Sequence, residues 1–249
     1  MLTFKIADGC GPTGNVLRQL VGVSQRPQTG VVCWGRGHNG TEPTLNAFAG
    51  RSNKLQQLQQ FKAAGILTPP FWEQLPTGAE NFPVLGRQLS HHAGLDIKLY
   101  MQPEDVQDFG QSAFYTRFVP RATEYRCWVY RRRHLASYEK VRKQGVRRRS
   151  TVNANYRNGF AFTLMNSESV PDGLRDIAAK AVDCLGLDFG AVDVLKGTDG
   201  RLYVLEVNTA PGVEGENRSG IQSLARKIKR WEELGYPKRN GATDGLPNE

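Results

Sequence analysis

The chain has 249 residues, of which 39% are apolar and 23% charged, with 27 glycines and 13 prolines. These are the proportions of a globular protein and exclude collagen-like, coiled-coil and disordered chains; the length suits one large domain or two small ones with a sizeable core. No apolar run approaches the roughly 18–20 residues of a membrane span, and no basic segment leads into an apolar one at the N-terminus, so the expectation is a cytoplasmic protein.

In chain order, residues 2–7 alternate as a strand and residues 15–20 read as a helix. Between them Gly9, Gly11 and Gly14 spell G-x-G-x-x-G, yet no acid to hold a ribose occurs in residues 25–41. The glycines therefore read as a tight strand-to-helix turn in a small α/β lobe rather than as a dinucleotide site. Val31-Val32-Cys33-Trp34 is a short apolar run. Residues 53–64 form an amphipathic helix capped by Asn53, with Leu55, Leu58 and Phe61 on one face, closed by Gly65 and Pro69-Pro70. Strands follow at residues 82–85, 95–100 and 114–119, the last ended by Pro120. Residues 125–130 and 135–141 flank Arg131-Arg132-Arg133-His134 as a hairpin whose turn arginines are solvated, and residues 147–159 form a polar loop. Residues 171–185 are a helix, and a loose tail starts at Gly235. Cys10, Cys33, Cys127 and Cys184 show no C-x-x-C spacing and read as buried thiols. His91 and His92 point to opposite faces of a strand and so share no metal.

The net charge of +9 is local in origin. Residues 117–149 hold twelve Lys/Arg against two acids, Glu124 and Glu139, and the rest of the chain has 21 basic against 22 acidic residues. Such a block suits an anionic partner: a nucleotide triphosphate, an acidic peptide or a nucleic-acid backbone.

The most informative segment is a second hairpin, in which residues 190–195 and 202–208 flank the favoured two-residue turn Asp199-Gly200. With Thr198 paired to Arg201, Asp193 lies directly opposite Glu206, and Asn208 shares their face. Facing carboxylates repel unless a cation neutralises them, and an all-oxygen set suits Mg2+ or Mn2+ sharing phosphate oxygens. The other reading is the solvent side of an edge hairpin, where two acids cost little.

Asp193 together with Glu206-Val207-Asn208-Thr209-Ala210-Pro211-Gly212, an E-x-N-x-x-P-G run, resembles the magnesium site of ATP-grasp carboxylate–amine ligases. Gly212-Val213-Glu214-Gly215, followed by Ser219-Gly220-Ile221, is similar to the glutamate ligases that modify ribosomal proteins; D-alanine–D-alanine ligase shares the metal triad. The resemblance covers residues 50–230. It implies an α+β ATP-grasp fold in which two subdomains, at residues 51–117 and 118–234, clasp ATP. A shortened α/β lobe precedes them at residues 1–50, and residues 235–249 follow as the tail. It also implies roles. Lys54 and Arg87 would meet the phosphates, Arg87 standing where the family carries lysine, with a phosphate loop at residues 90–94. The backbone of Phe118 and Val119 would read adenine and Glu124 the ribose. Arg126, Lys140 and Arg142 would be catalytic, facing γ-phosphate or an acidic substrate. Asp193, Glu206 and Asn208 would hold two Mg2+ ions, or Mn2+ in their place. Residues 153–159 and 214–219 would border the substrate pocket. The implied reaction activates a carboxylate as an acyl phosphate, which an amine attacks; substrates would be small anionic molecules or peptides, with no membrane partner. Two readings stand beside it: a basic nucleic-acid-binding module on residues 117–149, and an ATP-grasp kinase that forms no amide.

Overall fold

The computed structural model of the chain describes residues 2–22, 29–89, 97–143, 159–212 and 218–238. At the N-terminus, β1 (Leu2–Ile6), β2 (Gly30–Trp34) and β3 (Thr44–Leu45) form a parallel sheet in that order, crossed by α1 (Gly11–Val21). The helix begins four residues earlier than expected, because Pro12 fits a first helical turn, where its missing N–H costs nothing. A Cβ on Gly14 would stand 2.8–2.9 Å from the Ile6 side chain, so the third glycine of the G-x-G-x-x-G run lets α1 lie directly on β1.

The next segment opens with α2 (Lys54–Ala63), whose N-terminus is closed by a capping box between Asn53 and Gln56. It continues through β4 (Phe71–Trp72), β5 (Val84–Arg87), β6 (Lys98–Tyr100), α3 (Val106–Phe109) and β7 (Phe114–Arg117). Their strands make an antiparallel sheet in the order β4-β7-β5-β6.

The larger sheet is antiparallel, in the order β10-β9-β8-β11-β12. Its strands are β8 (Arg121–Tyr130), β9 (Arg133–Arg142), β10 (Phe160–Leu164), β11 (Phe189–Gly197) and β12 (Leu202–Asn208). Helices α4 (Leu174–Cys184) and α5 (Ser219–Glu233) complete it. Strand alternation sorts its side chains into two layers. Tyr125, Cys127, Val129, Val192, Val194, Val204 and Val207 share one core with Leu58 and Phe61 of α2 and Leu174 and Ala178 of α4. On the other face Trp128, Tyr130, Phe189 and Ala191 meet α5 and, through Trp34, the N-terminal sheet. Each large apolar side chain so buried is worth about 1.5–3 kcal/mol.

Three expectations change. The β11–β12 loop spans residues 198–200, with Gly197 N–H bonded to Arg201 O and Gly200 in the left-handed region at φ 79°. That loop shifts the register by one, pairing Val194 with Val204, until an irregularity between Asp193 and Val194 restores Asp193 opposite Glu206. The extra residue on β12 lets Val204 and Val207, three positions apart, face the same core.

Second, Arg131 is not solvated. Arg131 and Arg132 form the β8–β9 turn with φ of 44° and 66°, and the Arg131 guanidinium is buried against Asp188 at 3.1 Å. Asp188 also accepts from the Asn46 N–H at 2.7 Å, and the Asn46 side chain bonds the backbone of Asp188 and Phe189. A buried guanidinium requires such a partner. Third, Tyr236 and Pro237, at the start of the expected loose tail, are docked by the contacts they make. Pro237 O accepts from both Arg131 and Trp231 at 3.0 Å, and buried Tyr236 packs edge-on against Trp231. Of the thiols, Cys33 and Cys127 are buried while Cys10 and Cys184 are half-buried, and all four are free. His91, His92, residues 90–94, most of the 147–159 loop and residues 239–249 lie outside the described residues.

Candidate active site

Of the charged residues singled out from the sequence, Glu124, Arg126, Lys140, Arg142, Asp193 and Glu206 share one face of the five-stranded sheet, while Lys54 comes from α2 and Arg87 from β5. Register places Arg126 of β8 opposite Asp193 of β11, and Asp193 opposite Glu206 of β12, so three charges stand in a row across three adjacent strands. Arg126 grips Asp193 with two parallel bonds, Nε to Oδ1 at 2.7 Å and Nη2 to Oδ2 at 2.8 Å. This fork-to-carboxylate geometry gives a strong, directional ion pair. The Lys54 ammonium lies 2.6 Å from Glu206 Oε2. The Asn208 amide donates to Glu206 Oε1 at 3.2 Å and, at 3.4 Å, to Asp193 Oδ2, tying the two carboxylates together.

A second group lies along β8 and β9. Lys140 forms an ion pair with Glu124, which Arg121 also approaches at 3.5 Å. The ring of Phe162 on β10 lies beneath both cations, with the Arg126 guanidinium carbon 4.3 Å and the Lys140 ammonium 5.2 Å from its centroid. Arg142 shares the strand face of Lys140 two residues on, at the exposed end of β9.

From the smaller sheet, Arg87 at the end of β5 is close enough to Glu206 and Glu124 to feel both charges. Burial pulls its guanidinium pKa down, and those two carboxylates only partly oppose this. Its Nε is buried and has no hydrogen-bond partner among the described residues. For Glu206, burial alone would raise the carboxyl pKa, but Lys54 first, then Arg87 and Arg126, outweigh it and hold the group well below the usual carboxylate range. Phe118 and Val119 link β7 to β8, and the Phe118 N–H is bonded to Pro83 O at 2.9 Å.

Lys54, Arg87, Glu124, Arg126, Lys140, Asp193, Glu206 and Asn208 are thus interlinked by contact or field, while Arg142 stands at the rim. Sequence reasoning does not single out Arg121 or Phe162. The period-2 alternation of residues 160–164 is a usable sign for Phe162, but its pairing with Lys140 comes from register alone. The residues fit a divalent cation and a polyphosphate. The donor set of two carboxylates and one amide is all oxygen, as Mg2+ prefers. The orphaned Arg87 Nε is an unused donor for an anion. No group of three His, Cys, Asp or Glu converges among the described residues.

Comparison with known proteins identifies the family and the fold. The RimK-like ATP-grasp domain matches residues 82–231. A probable alpha-L-glutamate ligase of Pasteurella multocida (strain Pm70) is 30% identical over 213 residues, 76% of this chain and 64% of that protein. A ribosomal protein bS6–L-glutamate ligase of Salmonella newport (strain SL254) is 33% identical over 111 residues, 45% of this chain and 34% of that protein. The chain therefore spans less than two thirds of the length of these relatives. Among solved structures, the ATP-grasp ligase PsnB with a minimal precursor superposes with a TM-score of 0.66 at 11% identity, covering 93% of this chain and 98% of that one. D-alanine–D-alanine ligase from Bacillus anthracis with ATP gives 0.60 at 14% identity and the same coverage. These likenesses establish the α+β ATP-grasp fold that the sequence motif implied.

Proposed function

This chain belongs to the RimK-like ATP-grasp family, and on that premise we propose that it is an ATP- and Mg2+-dependent carboxylate–amine ligase. The observation that carries the reading is the row of Glu206, Asp193 and Arg126 across three strands, with Lys54 on Glu206 and Arg87, its Nε unpartnered among the described residues, near enough to feel Glu206 and Glu124. Magnesium held by Asp193, Glu206 and Asn208, as two ions and with Mn2+ able to substitute, would neutralise phosphate charge and orient it for in-line transfer.

Everything else falls to the chain's own side chains. Lys54 and Arg87 bind the phosphates. Arg126, Lys140 and Arg142 stabilise the charge that develops as a substrate carboxylate becomes an acyl phosphate and the amine attacks it. Phosphoryl transfer asks for positioning and charge stabilisation rather than a protein nucleophile, so no Ser, Cys or His is required. Glu124 accepts hydrogen bonds from the ribose. Because the Phe118 N–H is already bonded to Pro83 O, adenine is met by the Phe118 carbonyl and by Val119. Three of the site's cations are paired with its carboxylates: Lys54 with Glu206, Arg126 with Asp193, Lys140 with Glu124. On nucleotide binding Asp193 and Glu206 would give up these partners to hold Mg2+, Glu124 would turn to the ribose, and Lys54, Arg126 and Lys140 would be released to meet phosphate.

The names of the relatives support glutamate as the amine and a protein or peptide as the carboxylate; no helix among the described residues is long and apolar enough to cross a membrane. The basic block fits this reading better than nucleic-acid binding, since Arg121, Arg126, Arg131, Arg132 and Lys140 are each paired with a carboxylate. Mass spectrometry of reactions with ATP, Mg2+ and a mixed amino-acid and peptide library tests it. A product joined by loss of water, with ADP and phosphate released, is expected. A phosphorylated product without an amide would replace the ligase by a kinase. Salt-sensitive binding of any DNA or RNA, with ATP untouched, would favour the nucleic-acid module.

A further inference from the structure

Strand β12 is the edge of its sheet, paired with β11 on one side. Its outer side presents backbone groups that no strand satisfies. The Gln57 side chain of α2 does so instead: the Val207 N–H donates to Gln57 Oε1 at 2.8 Å, and Gln57 Nε2 donates to Val207 O at 3.3 Å. One primary amide, 150 positions away in sequence, thus reproduces the pairing of a neighbouring strand. The amide is buried. Further along the same strand, the Val204 N–H bonds to Leu67 O at 2.9 Å, so the edge is secured on both sides of Leu205.

The place of this clamp gives it meaning. Val207 lies between Glu206 and Asn208, and Gln57 lies one helical turn after Lys54. A single side chain therefore fastens the strand that carries Glu206 and Asn208 to the helix that carries their ammonium partner, Lys54 at 2.6 Å from Glu206. Next to an irregular register, a strand is otherwise free to slide or tilt. The geometry points to Gln57 as the positioning residue that sets the spacing between the phosphate lysine and the metal-binding strand. An amide is suited to this because it accepts and donates at once. A carboxylate would face the Val207 carbonyl with no proton to offer, and an apolar side chain would leave both backbone groups unsatisfied. The inference rests on the ligase reading for its consequence, but the clamp itself concerns Lys54 and Glu206 alone.

Gln57→Met, close in volume and without hydrogen bonds, tests it by two readouts made where the variant is fully folded. The first needs no ligand. The coupling of Lys54→Met with Glu206→Gln is measured by urea unfolding, once with Gln57 in place and once in the Gln57→Met background, and it should fall to near zero in the latter. The second is calorimetric titration with Mg2+ and AMPPNP, whose affinity should weaken about 10–100-fold, the usual effect of losing a bond that orients metal ligands. Gln57→Glu keeps the bond from the Val207 N–H but sets a carboxylate against Val207 O, so where it folds it should lose coupling and affinity no less than Gln57→Met. A purely structural role would lower the melting temperature and leave coupling and affinity unchanged, and that result overturns the proposal. If the unaltered protein binds no Mg-AMPPNP, the ligase reading fails, while the coupling measurement still decides the clamp.

Discussion

Replacing Lys54 with methionine removes the ammonium that stands 2.6 Å from a Glu206 carboxylate only 21% exposed. Burial pushes that carboxyl upward, while Lys54, Arg87 and Arg126 together hold it at about 2 instead of its ordinary 4.5. At about 1.4 kcal/mol per pKa unit, what the three cations achieve net of the burial that opposes them is roughly 3 kcal/mol. Lys54 is the largest of them, but Arg87 and Arg126 remain, so Lys54→Met should cost about 1–2 kcal/mol at neutral pH, less than the loss expected for a pair with no other partner. The pH dependence has a definite sign. A carboxyl whose folded pKa is depressed contributes stability that is present above its ordinary pKa and lost as pH falls toward the folded value. The difference between the two proteins should therefore be full above pH 4.5 and shrink as the pH drops toward 2. Urea unfolding of the ligand-free proteins at a series of pH values reads this directly. A difference that stays constant with pH, or is absent at neutrality, would refute the electrostatic account of the pair.

Three further outcomes follow from the same geometry. Glu206→Gln should abolish turnover while the far-ultraviolet spectrum and cooperative unfolding persist; full activity in that variant would remove Glu206 from the metal set. Arg126→Ala and Lys140→Ala should each lower kcat/KM about a hundredfold, whereas Arg132, 53% exposed and 3.5 Å from Asp183, should change it by less than about fivefold when cut to alanine; equal small effects at all three would mean diffuse electrostatics. Arg131→Met should cost about 3 kcal/mol or more of unfolding free energy, because it strands the buried Asp188 carboxylate, with KM for ATP unchanged in the folded fraction; a stability loss under about 0.5 kcal/mol, typical of a surface position, would deny the buried pair its role.

What could be read from the chain alone was what neighbouring residues decide among themselves. The capped helix at Lys54, the alternation that puts Arg126 on the face of Trp128, and the facing of Asp193 and Glu206 all depend on stretches of sixteen residues or fewer. Even there local rules did not suffice, because the Asp193–Glu206 pair arises from a three-residue loop and a compensating irregularity at β12, which lets Val204 and Val207 share one core. The E-x-N-x-x-P-G run at residues 206–212 could be recognised because its residues are close in sequence. Arg126 could not be paired with Asp193, nor Gln57 with Val207, since 67 and 150 positions separate them and only strand order brings them together. Arg131 shows the difference most directly. Three consecutive arginines at a turn read as solvated, and they would be in an isolated hairpin. The tertiary structure buries the first of them because β11 lies against β8 and brings Asp188 under the turn, where a carboxylate shielded from water holds a guanidinium that no local rule could place there.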